Sequence, residues 1–372
     1  SQKKFESNKK FKKLAKEEVI LLQNEDKKSL KIWRILNETS KKEYKKIYNK
    51  LNIKNLINMG ESFYRNYLEK IINKINTKNL ICISNGAKCI KIQKNQDLLY
   101  CIVQKSDGGF NYTTTDLAAL YFRIKKQKAD WIIYVTDIGQ TLHFETLFEI
   151  ANKAALKNKT KLTHIPFGLI LKEDGKKIKT REGNYEKLSD LIKISIKEAK
   201  KIIKLKRKNL NNNLINKLAK KLGINAIKYS DLSGDIKQSY KFKIKDMLKF
   251  SGNTSAFLTY AYVRINSIEK KVNKIKTIIN NEKKYKLKKT ELDLCLHLIQ
   301  FPYIIEQIVE KLNPNILTKY LYEVAEKFHK FFHKCKVINS KYQKKRLIIC
   351  NLTKIIIKRG LNLLGLEIIN KM

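Results

Sequence analysis

Tyr112 and Asp116 stand four residues apart, the spacing that sets two side chains on one side of a helix. A carboxylate beside a phenol suits a cationic ligand. Taken alone, such a pair is usually surface decoration, so its weight comes from what flanks it. Asp137, Gly139, Gln140 and His143 follow within one short stretch and could line the same ligand.

The elements that must position these residues are legible on either side. Asp107, Gly108 and Gly109 make a turn that allows backbone conformations barred to residues with a Cβ. Thr113, Thr114 or Thr115 is expected to cap a helix whose first turn holds Asp116. Trp131 to Thr136 (WIIYVT) is β-branched and aromatic with no charge, which predicts a buried parallel strand. Asp137, Gly139, Gln140 and His143 then fall at its carboxyl end, where open α/β sheets place their ligands. A helix should follow, with Leu147, Phe148, Ala151 and Ala154 on a common stripe.

FNYTTTDLAAL, ADWIIYVTDIGQTLHF and HIPFGLILKEDGKKIKTREG occur in that order, and together the three blocks resemble the second half of the arginyl-tRNA synthetase catalytic domain. GESFY, from Gly60 to Tyr64, resembles a landmark of the segment inserted between the halves of that nucleotide fold. FSGNTSAFLTYAYVRINSI, from Phe250 to Ile268, is similar to the opening of the family's helical anticodon-binding domain. The resemblance implies an enzyme that makes arginyl adenylate from L-arginine and ATP with magnesium, then transfers arginine to its tRNA. It implies that Tyr112, Asp116 and Gln140 hold the amino acid. The guanidinium fits because its fork of donors can engage both oxygens of a carboxylate, whereas lysine offers a point charge. Gly139 and His143 would line the ATP side.

Asp174 and Gly175 turn the chain after the apolar run Ile165 to Leu171, so the basic residues beyond emerge on a loop. Lys176 to Gly183 corresponds to the family's K-M-S-K-S segment. Lys177 or Lys179 would then neutralise charge building on the pyrophosphate leaving group. The same lysines also read as a solvated basic loop.

None of the five histidines, His143, His164, His297, His329 and His333, forms the H-x-G-H signature of class I enzymes. The chain is therefore expected to be a carboxyl-terminal fragment that does not activate arginine by itself. Two rival readings are a noncatalytic RNA-binding module that has kept the fold, and a synthetase for another amino acid.

The net charge of +46, from 80 Lys+Arg against 34 Asp+Glu, calls for a polyanionic partner such as RNA. The lysines are spread evenly, which also fits nucleotide bias, so the motifs carry more weight than the charge. No apolar run is long enough for a membrane span, and the six cysteines show no C-x-x-C pairing, which points to a reducing compartment and away from zinc. A cytoplasmic monomer is expected, with an organellar copy left open. His329 and His333 lack a third ligand nearby and read as a solvated face.

The expected architecture is α/β plus all-α. The second half of a class I Rossmann-type nucleotide-binding domain, with an insert, precedes a helical-bundle anticodon-binding domain. Residues 1–96 would hold amphipathic helices, such as that carrying Leu14, Ile20 and Leu21, and the insert. Residues 97–240 would supply the nucleotide fold, the basic loop and a lysine-rich helix from Leu188 to Lys206 leading toward the tRNA stem. Residues 241–372 would form the bundle, with stripes Leu294, Leu298, Phe301, Ile305 and Leu321, Val324, Ala325, Phe328. By resemblance, Tyr260, Arg264 and Met372 would touch the anticodon loop, Tyr260 and Arg264 presenting an aromatic plane and a guanidinium to one base. Tyr260 packed in the bundle core, with Arg264 paired locally, is the alternative.

Overall fold

A computed structural model describes residues 2–23, 25–94, 96–171, 188–206, 210–241, 243–272 and 285–371. The chain forms two compact units, Ser1–Ile165 and Pro166–Met372.

In the first unit, helices α1 (Gln2–Ser7), α2 (Lys9–Gln23) and α3 (Lys27–Lys50) lead in. Asp26 caps α3 by accepting the Ser29 amide at 2.9 Å. Leu14, Ile20 and Leu21 of the expected amphipathic helix are about half exposed. A 3-10 turn over Glu61–Tyr67 buries Tyr64 and passes into α4 (Leu68–Asn76). Strands β1 (Ile81–Ser84), β2 (Ala87–Lys94) and β3 (Asp97–Gln104) then pair antiparallel in the order β1-β2-β3. Residues on both sides of position 96 thus share one sheet. Period-two alternation along β2 buries Ile90 and Ile92, as a half-covered sheet requires.

Helix α5 (Tyr112–Lys125) crosses to β4 (Trp131–Asp137), and α6 (Thr141–Lys153) joins β4 to its partner strand β5 (Lys161–Phe167). Leu117, Leu120, Leu147, Ile150, Ala151 and Ala154 form the centre of this core and are fully buried. β4 departs from the expectation of a buried strand. Ile132 is buried, but Ile133 and Val135 are 41% and 56% exposed; among the described residues β4 pairs only with β5.

In the second unit, β6 (Ile170–Leu171) pairs in parallel with β7 (Tyr240–Lys241), and between them lie α7 (Leu188–Lys206) and α8 (Asn212–Ser233). α7 and α8 pack closely at Gly223, where a Cβ would sit 2.9 Å from the Ile196 backbone. After α9 (Ile244–Met247), helices α10 (Ser255–Val272), α11 (Lys289–Leu298), α12 (Phe301–Lys311), α13 (Asn315–Lys334) and α14 (Gln343–Leu363) make the bundle. Leu294, Leu321, Val324, Ala325 and Phe328 are fully buried along the expected stripes. Pro302 and Pro314 sit at the starts of α12 and α13, where a missing N–H costs no helical bond. The segment after α14 is tied down by α8. Buried Asn225 accepts the Glu367 amide at 3.0 Å and donates to the Glu367 carbonyl at 2.8 Å, as a neighbouring strand would. Among the described residues no single helix is long and apolar enough to cross a membrane.

Candidate functional site

The turn before α5 is built by its own polar groups. Asp107 accepts the Gly109 amide at 2.9 Å, and Gly108 takes φ +82°, a region that glycine enters without strain. The helix begins at least two residues earlier than the threonines suggested. Asn111 is the cap, accepting from Thr114 N, while its own amide donates to Ile102 O of β3 at 2.8 Å. Thr113, Thr114 and Thr115 are buried instead, and the Thr114 hydroxyl bonds the Val103 carbonyl. Tyr112 is therefore the first helical residue, and Asp116 lies beyond the first turn.

At the end of β4, Asp137 caps a short 3-10 turn by accepting the Gly139 amide at 2.9 Å. It also accepts from Gln140 Nε2 at 2.9 Å, so Gln140 is turned to Asp137. A Cβ at Gly139 would meet the same carboxylate at 2.9 Å, so a larger residue there would displace the Asp137 side chain. The turn launches α6, and one turn later His143 reaches α5.

His143 Nε2 lies 2.7 Å from Asp116 Oδ2, and the Tyr112 ring meets the imidazole edge-on, with centroids 5.0 Å apart. Tyr112 is 62% exposed, whereas the Asp116 and His143 side chains are 34% and 19% exposed. A phenol, a carboxylate and an imidazole thus converge on an open surface, with part of the carboxylate facing outward. His143, expected on the ATP side, pairs with Asp116.

Sequence reasoning missed the layer beneath. Arg123 lies between the Tyr64 and Tyr134 rings and donates to both hydroxyls, at 3.4 and 3.1 Å. Tyr64 of the GESFY segment is thus an anchor under α5. Burial pushes the Tyr134 phenol up. His164 on β5 stacks on Phe144 at 4.7 Å and sits 2.8 Å from Thr136 Oγ1. Burial lowers its pKa, against the nearby Glu145 and Asp137. Arg123 follows Asp116 by two helical turns, and that spacing was the one signal available in the sequence.

In the bundle, Tyr260 is 39% exposed and is not a core residue. The Arg264 guanidinium lies over its ring at 4.6 Å and over Phe332 at 4.8 Å, and it bonds the Tyr260 hydroxyl. His329 belongs to this cluster rather than to a solvated face. Its Nδ1 is 3.3 Å from Arg264, and its ring packs against Phe257 and Tyr260. Burial first, then Arg264 and His333, bring its pKa down to about 4. Lys177, Lys179 and Met372 lie outside the described residues.

The class of protein follows from comparison with known families. Residues 1–244 match the tRNA synthetases class I (R) catalytic domain, and residues 258–372 match the DALR anticodon binding domain. The chain belongs to the class I (R) tRNA synthetase family. It is 42% identical over 379 residues to the arginine–tRNA ligase of Protochlamydia amoebophila, covering all of this chain and 65% of that one. It is 40% identical to the arginine–tRNA ligase of Crocosphaera subtropica, covering 100% of this chain and 66% of that one. It thus spans about two-thirds of the length of these curated relatives. Among solved structures it is similar to the arginyl-tRNA synthetase of Plasmodium falciparum, with TM-score 0.84 and 36% identity over 97% of this chain and 62% of that one. The Thermus thermophilus arginyl-tRNA synthetase shares the fold, with TM-score 0.71 at 18% identity, over 82% of this chain and 58% of that one.

Proposed function

We propose that the chain carries the amino-acid pocket and the anticodon-reading bundle of an arginine–tRNA ligase. Such an enzyme joins the arginine carboxylate to the α-phosphate of ATP with release of pyrophosphate. A terminal hydroxyl of arginine tRNA then takes the arginyl group and AMP leaves. The observation that carries this reading is the convergence of Tyr112, Asp116 and His143. Asp116 would accept from the guanidinium, Tyr112 would flank its plane, and Gln140, once released from Asp137, would reach the bound amino acid. Gly139 would line the ATP side at the strand end, and Lys177 or Lys179 would offset charge on the departing pyrophosphate. Among the described residues no three His, Cys, Asp or Glu side chains converge to hold a metal ion, so no step is assigned to magnesium.

In the bundle, exposed Tyr260 with Arg264 stacked on it offers a ring and a guanidinium to an unstacked anticodon base, with Met372 as an apolar neighbour. Residues 1–96, 97–240 and 241–372 would serve as insert region, nucleotide fold and bundle, in a cytoplasmic monomer.

The test is calorimetric titration of the chain with L-arginine against citrulline, which keeps the shape and loses the cation. Arginine should bind at least about tenfold tighter, the effect of one charge-assisted hydrogen bond. Equal affinity for the two would refute the pocket. Binding to arginine tRNA and to the same tRNA with a replaced anticodon, across a salt series, tests the bundle. Discrimination should survive at high salt, where phosphate attraction fades.

A further inference from the structure

Asp116 is acceptor-only when ionised, with about four lone-pair sites on its two oxygens. The torsion that turns a carboxylate is soft, so a partly exposed Asp does not hold one plane unaided. Here Oδ2 is fixed by His143 Nε2 at 2.7 Å, and the imidazole is steadied by Tyr112 and Phe144, which meet it edge-on at 5.0 and 5.1 Å. α6 supplies the histidine and α5 the carboxylate, so the bond joins the two helices at this point.

We propose that His143 is a positioning residue for arginine selection: it donates Nε2–H to one lone pair of Asp116 Oδ2, locks the carboxylate plane and leaves Oδ1 and the second Oδ2 lone pair for a guanidinium. The inference rests on the pocket reading above and departs from a role for His143 on the ATP side. A guanidinium needs two acceptor directions in one plane, whereas an ammonium accepts any orientation. Locking the plane therefore favours arginine over lysine, and its loss should erode that preference more than it erodes affinity for cations in general.

The experiment titrates the full chain and its variants with L-arginine and L-lysine, following heat and the His143 imidazole signal by nitrogen-15 NMR. In the unaltered chain arginine should shift the His143 signal. His143→Ala should weaken arginine about tenfold, the loss of one charge-assisted hydrogen bond, and change lysine by much less. His143→Gln, whose amide can donate near the Nε2 position, should recover most of the loss, which a merely structural role does not predict. Should His143→Ala not fold, the His143→Gln affinity and the imidazole shift decide the matter. Unchanged arginine affinity in His143→Ala, or an imidazole signal that stays put while arginine binds, overturns the positioning role and leaves the pocket standing. Asp116→Asn separates the two readings: if it binds arginine as the parent chain does, or if the parent chain binds none, the pocket reading fails and takes this inference with it.

Discussion

Two carboxylates, one in each unit, meet a nitrogen base at the same distance of 2.7 Å and yet do opposite things. In the first unit Asp116 keeps 34% of its side chain exposed, and one imidazole partner leaves acceptor capacity unspent. In the second, Glu291 is fully buried and Arg346 is 4% exposed. Glu291 accepts from Arg346 Nε and from the Lys288 amide at 2.8 Å, closing a capping box at the start of α11, while Arg346 Nη1 donates to Lys336 O at 2.7 Å. The buried carboxylate has nothing left for a ligand, so it serves the bundle. The open one is unfinished, and that incompleteness is what a binding site requires.

Breaking the buried pair should have the largest effect. Replacing Arg346 with Met leaves an uncompensated buried carboxylate and should destabilise the bundle by roughly 3–5 kcal/mol in denaturant unfolding. Burial pushes Glu291 up, but Tyr285, the Lys288 amide and Arg346 together outweigh it and hold the carboxyl below its usual value. The stability it contributes is thus present above the unfolded carboxylate pKa of about 4.3 and is lost as pH falls through the lower folded value. An acid unfolding series should show this loss in the parent chain and not in Glu291→Gln.

Asp116→Asn comes next. It should cost arginine affinity about a hundredfold, near 2–3 kcal/mol, while shifting the melting temperature little, because the open carboxylate is not part of the packing. A large fall in melting temperature would blur the contrast between the two pairs.

Asn225 extends the comparison to a neutral buried group. Cutting it to Ala strands the Glu367 amide and carbonyl and should cost about 1–3 kcal/mol, with faster proteolysis of the segment after α14. Smallest of all is Lys46→Ala. This removes a pair whose side chains are 66% and 64% exposed, and unfolding should move by less than about 0.5 kcal/mol.

The parts legible in the sequence are those governed by local periodicity. The Tyr112–Asp116 spacing and the stripe Leu321, Val324, Ala325, Phe328 follow from the 3.6-residue repeat, and the strand at WIIYVT from an uncharged β-branched and aromatic run. The cap was misread because Ser, Thr and Asn compete for one role, and the winner depends on where β3 delivers the chain. Asn111 wins because Ile102 O is within its reach.

What the sequence determined by itself is therefore the element pattern and the family blocks, since both are written in neighbours along the chain. The tertiary structure decided which of those residues meet. His143 finds Asp116 from 27 residues away, Arg346 finds Glu291 from 55 away, and His329 joins Arg264 rather than solvent. It also decided exposure, leaving one face of β4 open while sealing Glu291. Contact and burial depend on how helices pack across long stretches of chain, and side-chain periodicity within one element carries no information about its distant partner.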